Sequence, residues 1–89
     1  MNTNASPSAQ VTVYSKPGCM QCTMTKKALE KNGIPYTEVD VTEVEAALEY
    51  ISIELSYAQV PVVVVDDQTH WAGFRPDRIG RLGSLGATA

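Results

Sequence analysis

Apolar and polar residues alternate from Val11 to Tyr14, the two-residue period of a half-buried strand. Pro17-Gly18 breaks that pattern, and a helical spacing follows from about Met20 to Asn32. Its expected buried side is Met20, Met24, Ala28 and Leu29. Gly33 stands where a helix C-terminus is capped, and Ile34-Pro35 marks the stop. Alternation returns from Tyr36 to Val41 as a second strand. Thr42 and Glu45 match the T-x-x-E capping box, and the helix they would open repeats Val44, Ala47, Leu48, Ile51 and Leu55. After a loop over Ser56 to Gln59, the β-branched run Val60-Pro61-Val62-Val63-Val64-Val65 suits a strand covered on both faces, in the middle of a sheet. Asp66 to Gln68 reads as a turn, and Thr69 to Trp71 as a short edge strand paired back as a hairpin. Pro76 is a favourable first residue for a last helix carrying Ile79 and Leu82.

The order is βαβαββα. A helix crosses between the first two strands, so they must be parallel, with a right-handed crossover. The order resembles the thioredoxin fold, an α/β architecture with a four-stranded mixed sheet flanked by three helices. The expected organisation is a flexible tail over residues 1–10, one domain over 11–82 and a loose tail over 83–89.

With 89 residues there is room for one hydrophobic core and no second module. A hydrophobic fraction of 44% excludes a disordered chain, and a net charge of −3 supplies no footprint for nucleic acid or an anionic membrane. No apolar run approaches the ~18 residues of a membrane span. Met1 to Gln10 is polar and lacks the basic start and apolar middle of a secretory signal, so a cytoplasmic protein is expected. The expected state is a monomer.

The chemistry concentrates in Cys19-Met20-Gln21-Cys22, which holds both cysteines. Two cysteines cannot build the disulfide framework of a small secreted domain. Cys19 falls where the helix begins, facing free backbone N–H groups and the positive end of the helix dipole, which stabilise a thiolate. Lys16 adds positive charge nearby. Cys22, almost one turn later on the same face, is within reach to close a disulfide and is less accessible. The pattern predicts that Cys19 attacks a substrate disulfide and Cys22 resolves the mixed disulfide. A zinc site needs about four ligands, and His70 is the single histidine. No metal is expected within one chain, while a zinc or iron–sulfur site shared between two chains is left open. Haem attachment would need histidine at Thr23.

Pro61 opens a central strand and needs a reason. In a thioredoxin-like sheet the Val60–Pro61 bond is expected to be cis, beside the dithiol, leaving the Val60 backbone to pair with an extended substrate.

Val13-Tyr14-Ser15-Lys16-Pro17-Gly18-Cys19-x-x-Cys22 resembles the glutaredoxin active-site strand and loop. Val60-Pro61 resembles that family's T-V-P element, with Gln59 in place of threonine. A glutaredoxin continues with a G-G-x-D-D segment whose glycines and acidic pair hold glutathione. Here the stretch is Trp71-Ala72-Gly73-Phe74-Arg75-Pro76-Asp77: one glycine aligns, and Arg75-Pro76 replaces the acidic pair. A cation there repels the glutathione ammonium. The same stretch resembles the W-S-G-F-R-P-D signature of the NrdH redoxins, with Ala72 where serine is usual, and C-M-Q-C agrees with their dithiol. This resemblance covers Val11 to about Leu82. It implies a redoxin that binds no cofactor, takes electrons from thioredoxin reductase, ultimately from NADPH, and passes them to the large subunit of class Ib ribonucleotide reductase.

Under that resemblance the partner-contacting residues are Lys16, Met20, Gln21, Val60, Pro61, Trp71, Gly73, Phe74, Arg75 and Asp77. Trp71 and Phe74 fit an exposed apolar patch beside Cys19, or else a core under the last helix. Arg75 is expected to hold its loop through backbone carbonyls or to pair with Asp77. His70 reads as a surface strand residue, and Lys26, Lys27, Glu30 and Lys31 as a solvated helix face.

Overall fold

The computed structural model describes residues 11–66 and 68–86. The expected tail over 1–10 and the end of the chain, 87–89, lie outside them. The strands are β1 (Val11–Ser15), β2 (Tyr36–Asp40), β3 (Val62–Val64) and β4 (His70–Ala72). The helices are α1 (Met20–Lys31), α2 (Glu45–Glu49), which runs on as a π-helical segment (Tyr50–Glu54), and α3 (Pro76–Gly86). The sheet order is β2-β1-β3-β4, with β1 and β2 parallel and the other two pairings antiparallel. This is the four-stranded mixed sheet with three helices of the thioredoxin fold.

Strand alternation divides the interior in two. On one face Val11, Val13, Val63 and Trp71 pack with Leu29 of α1 and Ile79 of α3. On the other, Val62 packs with Val41, Ala47 and Ile51, joined by half-buried Tyr14, Tyr57 and Val60. Val62 and Val63 are both fully buried, as the continuous β-branched run predicts for an inner strand. The strand itself is shorter than expected: Val60-Pro61 forms a cis bend ahead of it, and Val65 already bonds Thr69 in the turn that follows.

The end of α1 follows the sequence closely. Gly33 has φ +70, and the amides of Gly33 and Ile34 bond the carbonyls of Glu30 and Leu29 at 3.0 and 2.9 Å. This is a Schellman cap, and it requires the left-handed conformation glycine adopts freely. The buried stripe of α1 differs from the expectation: it is Cys22, Thr25 and Leu29. Met20 and Met24 stand about 200° around the helix from Cys22 and are 74% and 40% exposed.

The expected capping box does not form. Thr42 donates from both its amide and its hydroxyl to Asp40 Oδ1, at 2.8 and 2.6 Å, so Val44 becomes the N-cap residue and makes no side-chain cap. Of the expected apolar stripe of α2, Ala47 and Ile51 are buried, while Val44 and Leu48 are 45% and 47% exposed. At its other end the chain overruns the expectation: α3 continues through Gly86, so residues 83–86 are helix and not a loose tail. A Cβ on Gly83 would stand 2.9 Å from Asn32 Oδ1, so α3 closes on the end of α1 where it carries no side chain.

Candidate active site

Cys19 is the N-cap residue of α1, with extended backbone (φ −98, ψ 108), and Met20 is the first helical residue. Its sulfur accepts a hydrogen bond from the Cys22 amide at 3.1 Å, taking the place that a serine or aspartate oxygen fills in an ordinary cap. A thiolate held there gains one charge-assisted hydrogen bond and the helix dipole, and the first turn of α1 contains no acidic residue to oppose it. Cys19 and Cys22 are joined as a disulfide with Cα atoms 5.2 Å apart. Cys19 is partly exposed, while Cys22 is 2% exposed on the sheet side of the helix.

Two polar attachments hold this end in place. Ser15, buried at the end of β1, donates to Glu38 Oε2 at 2.7 Å, and Lys26 of α1 donates to the same oxygen at 2.9 Å. Glu38 therefore fastens the strand that enters the dithiol loop to the helix that leaves it. These bonds hold its carboxyl below the usual glutamate range, the Lys26 bond most and the Ser15 bond next. Lys26 is thus more than a solvated cation. The second attachment joins His70 Nδ1 and the Tyr57 hydroxyl at 2.7 Å, with the rings edge to face. His70 is a half-buried tie between β4 and the loop before Pro61, not a plain surface residue.

Pro61 is buried, the Val60–Pro61 bond is cis, and the Pro61 carbonyl accepts from the Gly73 amide at 2.8 Å. Gly73 has φ +85, and a Cβ there would lie 3.8 Å from Gln21 Oε1 and 3.9 Å from Gln59 Nε2. The dithiol helix, the proline loop and the β4–α3 turn therefore meet at one end of the sheet. Beside Val60 opens a mainly apolar groove of about 350 Å³. Lys16, Val41, Leu48, Ile51 and Tyr57 line it with Val60. Met20, which follows Cys19 in the chain, is exposed.

Comparison with known families matches residues 11–71 to Glutaredoxin. The chain belongs to the glutaredoxin family. Within it the chain is NrdH-redoxin-like. It is 38% identical to the glutaredoxin-like protein NrdH of Escherichia coli K12 over 73 residues, covering 82% of this chain and 88% of that one. It is 40% identical to NrdH of Lactococcus lactis subsp. cremoris over 72 residues, 81% of this chain and 97% of the relative. The solved structure of the Escherichia coli NrdH-redoxin superposes with a TM-score of 0.76 at 38% identity, covering 82% and 93% of the two chains. A glutaredoxin-like fold with this C-x-x-C pair is a thiol–disulfide oxidoreductase.

The other sequence-predicted residues are not all at this end. Trp71 is 4% exposed, so it cannot be half of an exposed docking patch. The pairing of β4 puts it opposite Val63, on the face covered by α1 and α3. Phe74 is half-buried and packs against the same cluster. Arg75 pairs with Asp77, donating from Nε to Oδ1 at 3.2 Å and from Nη2 to Oδ2 at 3.0 Å. The pairing holds the Asp77 carboxyl below its ordinary value and raises that of Arg75. Among the described residues no group of three or more His, Cys, Asp or Glu side chains is placed to hold a metal, and no helix is long and apolar enough to cross a membrane.

Proposed function

We propose that this redoxin carries electrons from thioredoxin reductase to the large subunit of class Ib ribonucleotide reductase. The Cys19 thiolate attacks one sulfur of a partner disulfide; that S–S bond breaks, a mixed disulfide forms, and the leaving thiolate takes a proton. Cys22, deprotonated, then attacks Cys19 Sγ and expels the second partner thiol, re-forming the Cys19–Cys22 disulfide. Two electrons have passed to the partner. The reductase returns two electrons and two protons, drawn from NADPH, and no cofactor need reside in the redoxin itself. In the groove beside the proline loop an extended partner segment pairs with the Val60 backbone, near Lys16, Met20 and Gln21. Turnover of this kind suits a monomer in the reducing cytoplasm.

The observation that carries the choice of electron donor is the Arg75–Asp77 pair. The one carboxylate at the β4–α3 turn is committed to a guanidinium by two bonds, and no acidic pair stands there to receive the glutathione ammonium. The solved Escherichia coli relative is described as a glutaredoxin-like protein with a thioredoxin-like activity profile, which agrees. The test is NADPH oxidation coupled to a protein disulfide through thioredoxin reductase, against a parallel glutathione and glutathione reductase system. Fast turnover in the first and little in the second is expected. Reduction by glutathione alone would overturn the proposal in favour of a glutathione-dependent glutaredoxin.

A further inference from the structure

A second groove, of about 390 Å³, lies between β4 and α3. Trp71 is buried among its lining residues, and its indole N–H is inaccessible and has no hydrogen-bond partner among the described residues. A buried donor left unpaired costs about 1–3 kcal/mol, and an indole can only donate. That donor is closed off from solvent, so what Trp71 offers the groove is its ring. Three guanidiniums line the same groove, those of Arg75, Arg78 and Arg81, against the single carboxylate of Asp77. Arg75 is already engaged by Asp77. Arg78 stacks over the Trp71 ring with Cζ 5.7 Å from its centroid, which holds its fork at the groove. Among the described residues neither Arg78 nor Arg81 has a carboxylate within 4.0 Å. The local excess of two positive charges runs against a chain whose net charge is −3.

We propose that this groove binds a phosphate group, free or as the monoester of a small organic molecule. A phosphate dianion matches the excess charge, and its oxygens can accept in pairs from the planar guanidiniums of Arg78 and Arg81, with the Trp71 ring beneath Arg78. A carboxylate would bring half the charge and fewer oxygens. Leu82 and Thr69 complete the lining and offer the apolar edge and the hydroxyl against which an organic group would lie.

Trp71 is the only tryptophan, so its indole N–H gives one unmistakable signal in a 1H–15N spectrum of the full chain. The chain is titrated with inorganic phosphate, with phenyl phosphate, and with sodium chloride at matched ionic strength. A saturable shift of that signal with the phosphates and not with chloride is expected. Tighter binding of phenyl phosphate assigns the groove to a monoester, and equal binding assigns it to the free ion. Arg78→Gln with Arg81→Gln, both exposed positions, should weaken binding at least about tenfold while leaving the rest of the spectrum in place. A shift that chloride reproduces, no saturation, or a response unchanged in the double variant overturns the site.

Discussion

The two faces of the sheet are built differently. Under α1 and α3, Val13, Val63, Leu29 and Ile79 are fully buried and Trp71 nearly so. Under α2 and its π-helical continuation the layer is thin: Ala47 and Ile51 are buried, Leu48 is half exposed, and Ile53 is 70% exposed. One face is closed over its core by packing, and its charged groove is confined to the edge between β4 and α3. The other leaves an apolar groove open beside Val60 and the proline loop. The active dithiol stands beside both: Cys22 is buried on α1, over the closed face, and Lys16, in the loop that leads to Cys19, lines the open groove. A protein that must hold one sulfur in a fixed place and still receive another protein's chain needs both kinds of surface.

The largest expected effect lies at that junction. Cys19→Ser removes the attacking sulfur and should abolish disulfide reduction, a loss of at least about a thousandfold. Cys22→Ser keeps the attack but not the resolution, so the mixed disulfide should accumulate and appear in the intact mass with its partner attached. Trapping through residue 22 in the Cys19→Ser protein, at the rate seen with the natural pair, would reverse the assignment of roles.

Next in size is a paired test of the faces themselves. Leu29→Ala, on the closed face, should cost about 2–5 kcal/mol in denaturant unfolding, because a fully buried leucine leaves a cavity behind. Leu48→Ala, on the open face, should change stability by less than about 0.5 kcal/mol. Instead it should raise KM for a protein disulfide about threefold to tenfold, by removing apolar contact from the groove. Equal destabilisation by the two changes would mean that both faces are structural.

What the sequence disclosed and what it hid divide along similar lines. The order of elements along the chain, the ends of α1 and the dithiol were legible because each rests on local chemistry: alternation in Val11 to Tyr14, a left-handed glycine at Gly33, a cysteine at a helix start. The buried stripe of α1 was hidden because Thr25, a polar residue by type, is one of its three members. Trp71 was hidden because the same indole suits a docking patch or a core, and the register of β4 against β3 decides between them. Thr42 carried a genuine capping signature that Asp40 pre-empted from two residues away. The Ser15–Glu38–Lys26 and Tyr57–His70 ties join residues from different elements, and no periodicity announces such pairs. The α3 groove stayed hidden for the same reason, since Trp71 and Arg78 meet only once β4 has packed under the last helix.

The smallest effect concerns how the closed face is fastened to the dithiol loop. Glu38 accepts from both Ser15 and Lys26, and its carboxyl titrates below its ordinary 4.5. A carboxyl depressed in the folded state contributes stability that is fully present above its unfolded value and is lost as pH falls through its folded value. Glu38→Gln removes this contribution. Because the pair is only partly buried, the loss near neutral pH should be below about 1 kcal/mol. The difference between natural and variant proteins should shrink as pH falls below about 4.5, and should fall with added salt. Denaturant midpoints at neutral and acid pH measure it. A difference that stays constant into acid would mean that Glu38 acts through packing or neutral hydrogen bonding. The ion pair would then have no part in holding α1, and with it Cys22, against β1.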